Sequence, residues 1–274
     1  MGSVTVVTNY ERLVCQWCNA QTTIGATTCA QCGAPLDVAN LVTDSGWREA
    51  PRLRDLTEIR FGQGSVIQVE GEIVPVADIT LQPQDAVFFE HHALLWKDEH
   101  VPLSTLATSG GMGRLFGGMP FIVTVATGPG RIAFSRDATG EVVVLPMAPG
   151  TEIDVRGHSF ILASHTLTYQ FEKIKGFKNI LHGGEMYLDE FHTTQWPGLL
   201  VLHGYGNVFE RYLGAGEHIM VEPGAFLYKD GTVTMNVEQQ DLKTGVLGTH
   251  GLWLARMTGP GRVGIQSMYH HHGG

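Results

Sequence analysis

From Ile59 onward, apolar and polar positions alternate in short runs separated by Gly, Pro, Asp and Asn. That spacing predicts strand after strand rather than amphipathic helices. Ser65-Val66-Ile67-Gln68-Val69-Glu70 reads as one strand, turned by Gly71-Glu72, and Ile73-Val74-Pro75-Val76 leads on from it. An eighteen-residue phrase then occurs three times: LQPQDAVFFEHHALLWKD from Leu81, MAPGTEIDVRGHSFILAS from Met147 and LGAGEHIMVEPGAFLYKD from Leu213. The starts lie 66 residues apart, and the copies align without a gap. In each copy a turn (QPQD, APGT, GAGE) precedes an alternating strand, and a second turn (HH, GH, PG) precedes an apolar one. This pattern predicts a β-hairpin in every copy.

A second echo separates the copies. Thr127-Gly128-Pro129-Gly130-Arg131 returns as Thr258-Gly259-Pro260-Gly261-Arg262, with Trp196-Pro197-Gly198-Leu199 as a weaker middle version. A fixed period with matched apolar positions marks a repeated supersecondary unit that cannot bury its apolar face alone. The expected fold is therefore all-β: three pseudo-threefold β-meander repeats of about five to seven strands each, packed as a sandwich or prism. Thirty-five glycines and only 16% charged residues suit many short strands and tight turns.

The first 38 residues break this pattern and carry the clearest chemistry. All four cysteines lie there, as Cys15-Gln16-Trp17-Cys18 and Cys29-Ala30-Gln31-Cys32. Each CxxC closes a tight turn that aims two thiolates at one point, and two such turns supply a tetrahedral zinc site. Disulfides or a redox CxxC fit less well, because no βαβ context surrounds the pairs. Four sulfurs fill the coordination shell, so one structural zinc per chain is expected. Residues 1–38 thus read as a zinc ribbon, 39–56 as a linker, 57–270 as the three-repeat domain and 271–274 as a frayed end. In the linker, Arg48, Arg52 and Arg54 are offset by Glu49 and Asp55, which suggests a solvated stretch. The cysteine spacing resembles Ran-binding-protein-type zinc fingers, some of which bind single-stranded RNA. Leu13 and Thr22 stand where that family has Trp and Asn, so RNA binding is not carried over.

Eighteen basic residues against 27 acidic give a net charge of −9, which repels nucleic acid and anionic lipid. No apolar run is long enough to span a membrane as a helix, and no secretory or mitochondrial leader is recognisable at the N-terminus. A cytoplasmic protein is the expectation. Of the thirteen histidines, His91-His92 and His158 read as exposed turn residues, and His270-His271-His272 as a frayed tail. Asp189-Glu190 with His192 lacks an accompanying nucleophile motif and reads as a polar strand end. The Gly-rich loop 110–118 precedes a strand instead of a helix, so it is no phosphate loop. It reads as a surface loop that contacts a partner or lipid through Met112, Arg114, Leu115, Phe116 and Met119.

The phrase, the doubled TGPGR and the Gly110-Gly111-Met112-Gly113-Arg114 loop together resemble the altered inheritance of mitochondria family over roughly residues 57 to 270. That family's fold is similar to the tryptophan RNA-binding attenuation protein. The resemblance implies an interaction or scaffolding role without catalytic residues. The repeat and the zinc module point to a protein that self-associates or joins a larger complex. It places bacterial members in the cytoplasm or at the membrane periphery. Two other readings stay open: a single-stranded nucleic-acid binder, disfavoured by the charge, and a small-ligand or metal-dependent enzyme using the histidines.

Overall fold

The structure is a computed structural model that describes residues 12–15, 18, 20–23, 26–36, 41–42, 46–49, 58–106, 123–173, 187–240 and 252–268. Among the described residues the regular elements are strands, apart from two single-turn 3-10 helices. Three short strands, β1 (Arg12–Val14), β2 (Gln21–Thr23) and β3 (Leu41–Val42), form an N-terminal sheet centred on β1. The stretch expected to be a linker is therefore divided. Its first strand, β3, joins the N-terminal sheet, while β4 (Arg48–Glu49) pairs with the domain at Phe209 and Glu210. Arg48 is buried against Glu210 and is not solvated. A guanidinium enters a protein interior when a carboxylate meets it there, and charge balance in sequence cannot show that.

Next come β5 (Glu58–Phe61) and β6 (Ser65–Glu70), which extend the edge of the first repeat. The first repeat holds β7 (Val76–Leu81), β8 (Ala86–Glu90), β9 (Leu94–Lys97), β10 (Leu103–Thr105), β11 (Val123–Thr127) and β12 (Gly130–Phe134). The second holds β13 (Gly140–Met147), β14 (Glu152–Arg156), β15 (Phe160–Ser164), β16 (Leu167–Lys173), β17 (Tyr187–Thr193) and β18 (Gly198–Tyr205). The third holds β19 (Val208–Leu213), β20 (His218–Val221), β21 (Phe226–Asp230), β22 (Thr234–Gln240), β23 (Leu252–Thr258) and β24 (Gly261–Gln266). Pairing follows one scheme in all three. The fifth strand takes the second and fourth as neighbours, and the sixth takes the first and third.

This scheme corrects two expectations. The two strands of each phrase are not a hairpin: β8 and β9, β14 and β15, and β20 and β21 each lie in different sheets. Nor is the unit a meander, since no sheet follows chain order through a whole repeat. The connection between the two phrase strands redirects the chain instead of folding it flat. His91–Ala93 and Pro223–Ala225 are 3-10 turns, and His158 takes a positive φ of 71° in the middle copy. Alternation and turn residues alone do not distinguish a hairpin from a corner that switches sheets.

The first turn of each phrase does follow its sequence. Asp85, Thr151 and Glu217 donate backbone bonds to Gln82, Ala148 and Gly214, and φ is positive at Gln84, Gly150 and Gly216. Glycine meets that requirement twice, whereas Gln84 adopts the left-handed region with a side chain in place.

Adjacent repeats are stitched by seams. Strand β8 of the first repeat pairs with β15 of the second at Phe89–Leu162, Phe88–Ala163 and Val87–Ser164. Strand β14 of the second pairs with β21 of the third at Val155–Tyr228, Asp154–Lys229 and Ile153–Asp230. These seams join the repeats into six- and seven-stranded sheets that face one another as a sandwich-like structure. Phe88, Phe160, Tyr169 and Phe191 interlock in the core, with ring centroids 5.0–6.3 Å apart.

Candidate metal centre

Two knuckles build the N-terminal site. Cys15 leaves β1 and its amide donates to the Ala20 carbonyl at 2.9 Å; the Cys29 amide donates to Ala34 at 2.7 Å. A third bond, from the Gly33 amide to the Cys29 carbonyl at 2.8 Å, closes the second turn, with Gly33 at φ 73°. The bridge Thr28–Pro35 holds that turn's ends together. All four sulfurs lie within 4.8 Å of one another, with Cys15–Cys32 at 3.5 Å and Cys18–Cys29 at 3.6 Å. A tetrahedral thiolate shell with metal–sulfur bonds of about 2.3 Å has sulfur–sulfur edges of about 3.8 Å. The cluster fits a metal ion, and these two pairs run across the knuckles.

The electrostatics agree. The amides of Cys32 and Gln31 stabilise the Cys29 thiolate and bring its pKa down to about 6. At Cys18 the Ala20 amide also pulls down, but burial and the three neighbouring sulfurs outweigh it and the thiol sits at about 12. Crowded sulfurs resist sharing negative charge until a cation joins them.

Other sequence candidates lie elsewhere. Met112, Arg114, Leu115, Phe116 and Met119 fall outside the described residues, as do His270, His271 and His272. His91 and His92 stand exposed in their turn, rings 5.6 Å apart. His92 also meets Glu90 at 3.2 Å and accepts from Arg136. His158 is exposed in the corresponding turn of the second repeat. Asp189 is buried and accepts from Tyr169 at 2.6 Å, while Glu190 and His192 alternate with it along β17 and face the other side. Among the described residues, the four cysteines are the one group of His, Cys, Asp or Glu placed to hold a metal.

Three features escaped the sequence reading. Tyr228 donates to Glu210 at 2.5 Å, and Glu210 also pairs with Arg48, which ties β4 to the domain. Burial, followed by the Glu210 carboxylate, holds the Tyr228 phenol well above its ordinary value. Lys229 and Asp154 form a buried ion pair at the centre of the second seam. Finally, Leu95, Trp96 and Met220 are apolar yet 55%, 40% and 37% exposed. Within the sequence they look like the core residues aligned with them in the other copies.

The profile of the family described as "Mitochondrial biogenesis AIM24" matches residues 67–268. Among solved structures, the chain is similar to protein SPYM3_0169 from Streptococcus pyogenes, at 16% identity and a TM-score of 0.59. The match covers 75% of this chain and 94% of that one, and shows the fold alone. A comparison with curated proteins found no match.

Proposed function

Because this chain belongs to the mitochondrial biogenesis AIM24 family, we propose to read it as a non-enzymatic scaffold that assembles with itself and with other proteins. One structural zinc per chain completes its N-terminal module. The observation that carries this reading is the way that module meets the domain. Its sheet ends at β3, and six residues later the chain adds β4 to the edge of β19, locked by Arg48, Glu210 and Tyr228. A four-sulfur shell leaves no open position for substrate, so the metal's role is to hold the ribbon's shape. The result is a metal-stiffened knob fixed to a broad β-surface, which suits binding a protein partner. The family description, which names a biogenesis process, agrees with an assembly role, and the acidic net charge suits a cytoplasmic protein better than a nucleic-acid binder.

Affinity capture from the native host tests this, comparing wild type with Cys29→Ser and Arg48→Ala chains. Wild type should carry about one zinc per chain and retain a defined partner set, part of which disappears when the ribbon is unfolded or undocked. No specific partners, or an unchanged set with both variants, would overturn it.

A further inference from the structure

We infer that the outer strands of the first and third repeats form a docking seam for a second copy of this chain. The inference deepens the self-assembly reading above and rests on it. Within the chain, the second strand of one repeat pairs with the third strand of the next: β8 with β15, and β14 with β21. The series leaves two strands over. Strand β20 pairs only with β23 and strand β9 only with β12 among the described residues, and each ends its sheet. No hydrogen bond joins residues 58–134 to residues 208–268 within that set.

The side chains at these edges are made for a partner. Each third strand carries the same β-bulge, placing one extra residue at Leu95, Ile161 and Leu227. Ile161 and Leu227 are fully buried by the neighbouring repeat, while Leu95 is 55% exposed. The next position holds Leu162 and Tyr228, both fully buried, and Trp96, 40% exposed under Arg131. On the facing strand, Met220 is 37% exposed where the matching Phe88 and Asp154 are covered.

Register is also determined. Shifting either existing seam by whole repeats of 66 residues gives the same pairs: Val221–Trp96, Met220–Lys97 and Ile219–Asp98. Strand β20 is thus shaped for a β9-type strand and β9 for a β20-type strand. A second copy presents both, and a reciprocal pair leaves neither of these two edges unpaired.

The test mixes two full-length, metal-loaded chains, Lys97→Cys and Met220→Cys, under mild oxidation. A disulfide-linked mixed pair should form that neither chain gives alone, because those two positions face each other across the seam. Absence of the mixed pair overturns the proposal. So does a doubly substituted chain that links internally at single-chain mass, because the seam then closes within one molecule. Sedimentation supplies the second arm. Wild type should show at least twice the single-chain mass, and Trp96→Lys, altered at an exposed position and so able to fold, should return to the single-chain mass. An unchanged mass in Trp96→Lys overturns the seam. A single-chain mass for wild type with its partner set retained in affinity capture defeats the seam and leaves the scaffold reading standing.

Discussion

Leu227 and Leu95 occupy the same bulge of the same strand in two repeats, yet Leu227 is sealed and Leu95 is 55% exposed. The residues are identical, so the difference lies in the neighbour. At the second seam, β14 lies against β21 and supplies Asp154 to Lys229 and Val155 to Tyr228. Lys97, the counterpart of Lys229, has no such carboxylate and donates to the carbonyls of Asp98 and Glu99 at 3.1 Å each. One set of side chains therefore serves as core at a closed seam and as surface at an open one.

Magnitudes sharpen the contrast. Full burial of a large apolar side chain contributes about 1.5–3 kcal/mol, so covering what Leu95, Trp96 and Met220 expose offers roughly 2–4 kcal/mol per seam. Association costs an estimated 4–15 kcal/mol. One seam with its few backbone bonds falls short of most of that range, and two formed together share a single association cost. A reciprocal pair is the arrangement these numbers favour.

The largest effects should come from breaking a closed seam. Tyr228→Ala should destabilise the domain by about 3–5 kcal/mol, because it empties a fully buried position and removes the donor to Glu210 Oε2. Tyr228 fits there because Gly264 has no side chain; a Cβ on Gly264 would lie 2.1 Å from the Tyr228 ring. Lys229→Ala should cost a similar 3–5 kcal/mol by leaving Asp154 buried without its cation. Urea unfolding measures both. In chains kept at single-chain mass, the matching change Trp96→Ala should cost about 1–2 kcal/mol, for the part of the ring already covered, and Lys97→Ala less than about 0.5 kcal/mol. Equal costs at the open and closed positions would remove the distinction between them.

A smaller effect should appear in acid near the first seam. His203, on β18 beside β15, is almost fully buried and bonds the Ala138 carbonyl at 3.2 Å. Burial, then the charge of Arg136, brings its pKa down from 6.5 to about 4. Between those values the unfolded chain binds a proton that the folded chain refuses. Stability is thus full above pH ~6.5 and declines as the pH falls towards ~4, by up to about 3 kcal/mol. Replacing His203 with Gln, the residue at the aligned position Gln266, should flatten that slope in urea titrations at stepped pH. Loss of the slope through His92→Gln instead would assign it to the exposed turn.

Metal removal should leave every seam untouched. A chelator should melt the ribbon, seen as faster amide exchange at Cys15 and Cys29, while β8, β14, β15 and β21 keep their protection.

The period, the all-β class and the knuckle cysteines were legible because each is written locally: a spacing of two, a repeat of 66, a CxxC turn. Even the odd Gln84 sits where its glycine counterparts predict a positive φ. What the sequence did not show is partner choice. Nothing local in Val87-Phe88-Phe89 says that its neighbour is β15 in the next repeat and not β9 four residues further on. Arg48 likewise reads as a solvated charge until Glu210, distant in sequence, is brought beside it. Leu95 and Trp96 carried the same signal as buried positions, since a strand's pattern records which face is apolar and not whether anything covers it.

The most direct measurement is amide hydrogen exchange at Lys97 and Met220 over a dilution series. The Asp98 amide donates to Arg131 within the chain, so the alternation of an antiparallel strand turns the Lys97 amide to the open edge. Protection at both should rise with protein concentration, while their closed-seam counterparts Phe88, Ala163, Asp154 and Lys229 stay protected throughout. Protection at Lys97 and Met220 that is independent of concentration, whether high or absent, would contradict a seam completed by a second copy.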